Sequence, residues 1–591
     1  MNDIRHPSRR AALAATVAAL AVTGTGCKGA PHELSTRPPA APSAGAYRRG
    51  AGALVMQVLA HPDDDLYFMN PDTLHDLQAA TPVVSVYVTA GESRGWNTPP
   101  HGSHKHHHAD QAAYSAARHQ GLRQAYAAML GLPHFTTWHS EVLALPGGLH
   151  AQIDSLARGG RRASLVFLQV SMHELSPSAS VPTLWSTPGV TLPYVPAEGS
   201  PAPADAPGTY THDRLVDVLV ALLDRYGPTH VRTLDPDPDI QLHDRRHPRD
   251  SDQFGYSDHR DHTAVALFTW KALARWAAPG GGGRDFTAAA YRGYYNQRWP
   301  FNLPPATVAL KGRFMVEYGG DPGWQCGSPG GCGDYGQGRD QPLANRKGWI
   351  RSTHPRYPGA GPVVVAAPGA RRTAYEVRGL RAVVRTETAP GSGRYGPAAG
   401  LGGGPLAPRL ACVAVPGAGT LVFGLRFAAL QGKGGGNGRD VVLREAGRWT
   451  SLGSPEHSEN RGRRVGPPAA LRTPDGRVHL FVRNADKGLS TRVREPGGAW
   501  GAWTDLGGGE VQEGLATVVD GLGRAHVFAA GRDTVHHWAQ PAASAPVAAR
   551  PATGLPRPGD CPSAALTADG TITLTYRRPA SATSLRVSVR P

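Results

Sequence analysis

Two patterns of apolar positions divide the chain. From about residue 54 to residue 320, short apolar runs alternate with stretches of helical period. Leu54–Ala60, LVMQVLA, is an apolar run of the kind buried on both faces of a parallel sheet. The same reading predicts strands at Val83–Thr89, Ser164–Val170 and His230–Leu234. Helices are predicted over Ala109–Leu130 and over Asp213–Tyr226, where Leu215, Leu219, Leu222 and Leu223 share one face. An apolar-rich helix follows at Thr263–Ala274. Strand–helix alternation predicts a parallel sheet covered on both sides. Irregular stretches at 91–105, 171–210 and 235–258 are long enough to shape a binding site.

Beyond about residue 360 the helical period disappears and a phrase repeats. PAALRTPDGRVHLFVR starts at Pro468, GLATVVDGLGRAHVFAA at Gly514, CPSAALTADGTITLTYRR at Cys561, and a looser copy at Leu410. Each reads as strand, tight turn, strand. Phe481, Phe528 and Tyr576 recur at spacings of 47 and 48 residues, the period of a propeller blade. About 230 residues at that period accommodate four to five blades. Trp449, Trp500 and Trp503 precede Gly-containing turns and are expected to pack between blades, with sugar stacking as the alternative.

Chemistry collects at two places. The first strand ends in His61-Pro62-Asp63-Asp64-Asp65. Pro62 stops the ladder, and an imidazole with three carboxylates is left at the carboxyl end of a central strand, where open α/β sheets place ligands. Taken alone, this string reads equally well as a solvated acidic turn. The second place is Ser257-Asp258-His259-Arg260-Asp261-His262, whose two histidines share one side of an opening helical turn. Together the motifs supply His, Asp and His ligands with a position left open, the arrangement of a catalytic Zn²⁺ rather than a structural one. Asp63, between His61 and Asp64, is placed to act on water. His106, His107 and His108 form a further cluster, read as a solvated loop.

AHPDD after the first strand, Val88-Thr89-Ala90-Gly91-Glu92 closing the second, and HxDH opening a late helix resemble the PIG-L/LmbE family of zinc-dependent deacetylases over about residues 52–320. The resemblance implies a Rossmann-like α/β domain that removes acyl groups from N-acetylglucosamine units and related amides. It makes His61, Asp64 and His262 the zinc ligands and Asp63 the general base. His259 becomes the group that stabilises the oxyanion or the leaving amine, with Asp261 as its orienter. The chain departs from the family pattern in three ways. Asp65 stands for the usual Glu, Arg260 for the usual Pro, and the helix near Arg118 lacks its common Glu. The family's oxyanion tyrosine has no match at its usual spacing, and Tyr256 is a nearby candidate. The repeats resemble tachylectin-like or fucose-lectin-like propellers. The expected fold is therefore α/β plus all-β.

Length and composition refine this picture. At 591 residues the chain requires more than one core. The organisation predicted is an export signal over 1–27, a linker over 28–50, the deacetylase domain over 51–340 and the propeller over 360–591. The formal charge of +16 is spread along the chain rather than clustered with aromatics, which argues against nucleic acid. Ser8-Arg9-Arg10 before the run 11–22 resembles a twin-arginine export signal. Cys27 resembles a lipoprotein cysteine, although Gly24 stands where an aliphatic residue is expected; a lipid there is the only membrane attachment foreseen. The remaining four cysteines are expected to pair, Cys326 with Cys332 and Cys412 with Cys561. Three functions follow: an exported deacetylase of an N-acetylated amino sugar held on a cell-surface glycan by its propeller, a zinc amidase for another acylated amine, or a glycan-binding protein with a vestigial α/β domain.

Overall fold

The structure, a computed structural model, describes residues 52–99, 108–172, 179–203, 208–239, 258–278, 284–337, 348–366 and 370–590. The expected export segment, Cys27, the linker, His106, His107 and Tyr256 lie outside these residues. Among the described residues, no helix is long and apolar enough to cross a membrane.

The first half builds β1 (Val55–Leu59), β2 (Val83–Thr89), β3 (His139–Ala144), β4 (His150–Arg158), β5 (Arg161–Val170), the short pair β6 (Thr191–Pro193) and β7 (Thr209–Thr211), β8 (His230–Leu234) and β9 (Thr287–Tyr291). Seven of these form one sheet in the order β3-β4-β5-β2-β1-β8-β9. β1 is central and parallel to both neighbours, with Leu59 level with Tyr87 and Val58 level with Thr233. Side chains of a strand alternate between faces. Met56, Val58 and Ala60 pack with α3 (Val181–Ser186), α4 (His212–Tyr226) and α5 (Arg260–Trp276). Val55 and Leu59 pack with α1 (Asp72–Gln78), α2 (Gln111–Met129) and α6 (Pro305–Gly319). Burying Leu59 in full is worth about 1.5–3 kcal/mol. β4 alone runs antiparallel to the rest, between β5 and the edge strand β3, and neither β3 nor β4 had a counterpart in the predicted elements. β3 is largely exposed, so it carries no apolar pattern to read.

Helix ends follow their sequence signals. Thr211 caps α4 by accepting from the Arg214 amide, and Gly227 ends it at φ +55°, a left-handed conformation that glycine adopts without strain. Asp110 caps α2 through the Ala113 amide.

The second half consists of five antiparallel sheets in succession over 363–402, 406–453, 469–505, 516–549 and 563–589, four strands in each of the first four and three in the last. This is the blade arrangement expected of the repeats. Phe423, Phe481, Phe528 and Tyr576 all sit in the second strand of their sheets and are buried. Tryptophans staple the second, third and fourth sheets each to the one before. Trp449 donates to the Leu401 carbonyl (2.7 Å), Trp503 to that of Leu452 (3.0 Å) and Trp538 to that of Leu506 (3.2 Å). Cys326 and Cys332 are bonded. Cys412 and Cys561 are free, against expectation. Cys412 packs with the apolar cluster of Tyr375, Val422 and Val442, whereas the Cys561 thiol donates to the Glu513 carbonyl (2.7 Å) beside the fourth sheet. Equivalent repeat positions lie on different blades and do not meet.

The halves share their interior. Trp270 of α5 stacks on Phe427 of the second sheet at 4.5 Å, within one continuous apolar cluster. Residues 354–356, between the two predicted domains, pair with β9. Arg292 N donates to His354 O, and Arg356 N to Ala290 O.

Candidate metal centre

The turn after β1 is built by its own carboxylate. Asp64 Oδ2 accepts from the amides of Ala60 (3.0 Å) and His61 (2.8 Å), which folds the side chain back over the strand end and leaves Oδ1 facing outward. α5 arrives opposite, capped by His259, whose Nδ1 accepts from the Asp261 amide (3.2 Å). Three ligand-type atoms then converge. His61 Nδ1 lies 3.1 Å from His262 Nε2, His262 Nε2 lies 3.0 Å from Asp64 Oδ1, and His61 Nδ1 lies 3.6 Å from Asp64 Oδ1. A point equidistant from the three is about 1.9 Å from each, close to the roughly 2.0–2.2 Å of zinc–nitrogen and zinc–oxygen bonds, so these three atoms are spaced as a set that would hold such an ion. All three side chains are buried. His259 offers a further nitrogen; those of His61, His259 and His262 lie within 4.8 Å of one another.

Each histidine of the triangle is held from behind. Asp261 Oδ2 is 3.1 Å from His61 Nε2, and Asp258 Oδ1 is 2.8 Å from His262 Nδ1. Such carboxylates fix the ring and make it a better ligand. Asp261, expected to orient His259, lies nearer to His61. Its oxygen lies 3.8 Å from His259 Nδ1 and closer to His61, because its place one position before His262 turns it toward the other motif.

The charge balance favours a cation. Burial opposes charge on His61, but Asp64 and Asp261 outweigh it and raise the imidazole to about 9. Burial likewise opposes charge on His262, and Asp64 and Asp258 push it well above its usual value. A cluster that draws protons this strongly is one that a divalent ion would neutralise.

Asp63 stands beside the triangle. Arg118 of α2 holds it through Nη2 at 2.9 Å, while Arg118 Nε donates to Tyr318 Oη (2.8 Å) and lies 3.5 Å from Asp334, and Nη1 donates to the Gly91 carbonyl (2.9 Å). Burial raises the Asp63 carboxyl, Arg118 draws it down, and Asp64 pushes it up again. Gly91 is required by close approach. At φ +68°, a Cβ there would stand 2.5 Å from Pro62 Cδ. Asp65 turns away into the core, where Tyr87 donates to it at 2.9 Å and Tyr126 also donates. Burial raises its carboxyl to about 6 against those bonds. The Asp-for-Glu departure thus falls on a supporting residue outside the triangle.

Four residues escaped the sequence reading: Arg118, Asp258, Tyr294 and Asp334. Asp258 lies inside the second motif, four residues before His262, and that spacing could have flagged it as a partner of the ring. Tyr294 stacks on His262 at 5.4 Å and its amide donates to Asp258 Oδ1 at 3.1 Å. No local signal tied it or Asp334 to the site.

The buried His/Asp/His cluster at the carboxyl end of β1, inside an α/β sheet, is an arrangement of side chains that could hold a metal ion. Residues 56–273 of this domain match the family PIG-L, described as GlcNAc-PI de-N-acetylase. No curated protein matches the chain. Among solved structures, the BP39L lectin from Burkholderia pseudomallei is 14% identical with a TM-score of 0.26, covering 37% of this chain and 66% of its own. The NanB sialidase from Streptococcus pneumoniae is 10% identical at 0.26, covering 36% of each chain. The Aleuria aurantia lectin is 13% identical at 0.26, covering 39% and 77%. This chain thus spans just under two thirds of the first of these and about a third of the second.

Proposed function

We propose that the chain is an exported zinc-dependent deacetylase that hydrolyses the N-acetyl group of an N-acetylglucosamine-containing glycan or glycoconjugate. The observation that carries the proposal is the buried triangle of His61 Nδ1, Asp64 Oδ1 and His262 Nε2 with Asp63 beside it. His61, Asp64 and His262 would hold the ion, which when bound makes water more acidic and polarises an acyl carbonyl. Asp63 takes the proton of the attacking water and returns it to the departing amine. Arg118 keeps the Asp63 carboxylate aimed at the triangle. His259, edge-on to His61 at 4.6 Å and partly open to solvent, donates to the negative charge that builds on the acyl oxygen.

The test combines metal content with amine release from a panel of N-acetylated amino sugars and their oligomers. About one zinc per chain and release of free amine are expected. Bound zinc with release only from other acylated amines would move the assignment to a different amidase, and zinc-free, inert protein would leave a glycan-binding chain. Glycan holding by the propeller is supported by a 390 Å³ hollow lined by Trp500, Thr491 and Glu495. Trp500→Ala should abolish any signal on a glycan array, and an undiminished signal would discard that surface.

A further inference from the structure

The segment after β8 reads Asp235-Pro236-Asp237-Pro238-Asp239, and the propeller closes on it with arginines. Arg439 holds Asp237 through Nε (2.9 Å) and Nη2 (3.1 Å), and Arg463 Nε reaches the same carboxylate at 2.7 Å. Arg483 grips Asp239 with both Nη atoms at 2.9 and 2.7 Å. Arg463 and Arg464 also donate to the carbonyls of Pro236 (2.7 Å) and Pro238 (3.2 Å). Alternating prolines keep the segment extended, so its carboxylates and carbonyls are presented in turn. Paired guanidinium–carboxylate forks of this kind are specific as well as strong.

A second grip lies at the end of β9. Glu513, buried between the third and fourth sheets, receives Arg292, Arg356 (2.7 Å) and Arg483 (3.3 Å). Directly after Arg292, Gly293 packs so closely on Asp258 that a Cβ would stand 2.1 Å from its oxygen. The Tyr294 amide then donates to Asp258 Oδ1, which holds His262 Nδ1. The two grips meet where Tyr295 donates to Asp235.

We infer that the propeller is a positioning part of the metal centre, acting from Glu513 through Arg292, Gly293 and Tyr294 onto Asp258 and hence His262, with the Asp235–Asp239 segment as its second hold. The arginine-lined face of the propeller is thereby filled by the chain's own acidic segment and is no open glycan site; the Trp500 hollow is lined by other residues. Glu513, Arg292 and Arg463 are positioning residues, since none is in the triangle.

This inference rests on the metal reading above, and its test separates the two. The full-length protein is stripped of metal and titrated with Co²⁺, whose visible ligand-field bands report the geometry around the ion. Glu513→Gln and Arg292→Lys should weaken Co²⁺ binding by about tenfold or more and alter those bands, the scale typical of groups that orient ligands. Arg463→Gln leaves Asp237 with Arg439 and should give a smaller change in the same direction. Arg477→Gln, on an exposed pair in the third sheet, is the control and should match wild type. Thermal unfolding of each metal-free protein is measured alongside. If Glu513→Gln does not fold, Arg292→Lys and Arg463→Gln carry the test. Variants that melt earlier yet bind Co²⁺ with wild-type affinity and spectrum would reduce the propeller to a merely adhesive role and overturn the inference. Wild-type protein that takes up no Co²⁺ would overturn the metal reading and this inference with it.

Discussion

Asp63→Asn isolates the proposed proton transfer from everything else at the site. The substitution keeps the shape and removes the charge. Arg118 loses one partner at 2.9 Å but keeps the Tyr318 hydroxyl, the Gly91 carbonyl and Asp334, so its buried guanidinium is still satisfied. Asp63 is not a corner of the triangle, so zinc affinity should stay within about threefold, well inside the tenfold that 1.4 kcal/mol represents. Loss of a positioned base removes about 10²–10⁴-fold from turnover, or about 3–5 kcal/mol of barrier. The assay is fluorometric detection of amine released from the best substrate of the panel, on protein whose zinc content is measured in the same sample. Turnover within about threefold of wild type at full zinc occupancy would refute the assignment of Asp63 as base. Among the described residues the other carboxylates at the triangle are already engaged, Asp258 by His262 and Asp261 by His61.

The pH limb of activity should follow the Arg118 contact. Asp63 must be ionised to act, and Arg118 lowers its pKa; Arg118→Met therefore raises it, and the acid limb of kcat/KM should move to higher pH, where an unmoved limb would contradict the pairing. The metal-free protein should lose stability as pH rises. The folded pKa of His61, about 9, exceeds its unfolded value near 6.5, so its contribution is complete below about 6.5 and lost through about 9. Zinc should abolish that loss, and a melting temperature flat from pH 6 to about 9 without metal would contradict the predicted shift. At the acid end, Asp237 and Glu513 sit below their usual values, held there by arginines against burial. Their contribution is present above about pH 4 and falls away below it, and Asp237→Asn should flatten that decline. Trp538→Ala, which empties a buried blade contact, should destabilise by about 3–5 kcal/mol, whereas Trp538→Phe, which loses mainly the bond to the Leu506 carbonyl, should cost much less in chemical denaturation.

The α/β half was legible because its central strands are buried on both faces and carry runs of valine and leucine. β2 and β8 fall on the residues predicted, and β1 lies within its predicted run. A strand buried on both faces reads as a mostly apolar run, as β1 and β2 do. β3, exposed on both faces and with charged or polar residues among its valine and leucine, carries no such contrast. The blades were legible through repetition, since four copies of one phrase fix a register that no single copy would. The disulfide expectation drawn from the same repeats failed for that reason. Repeat equivalence places Cys412 and Cys561 at like positions on different blades, and like positions of a propeller are kept apart by its rotation.

Within the site, the residues that touch the triangle were legible and those that hold them were not. Ligand chemistry is written in residue type at short spacing: His61 and Asp64 three apart after a strand, His259 and His262 three apart at a helix start. Support is written in distance. Arg118 reaches Asp63 from another helix, Asp334 reaches Arg118 from beyond α6, and Tyr294 reaches Asp258 from beyond β9. None of these partners has a spacing to recognise, because each is brought in by the order of strands in the sheet. The same holds with more force for Asp237 and Asp239. A proline-spaced acidic run reads as a solvated loop until arginines more than 200 positions away are found paired with it. Their burial makes the difference testable, since a buried carboxylate stripped of its guanidinium costs about 3–5 kcal/mol, while a solvated one costs almost nothing.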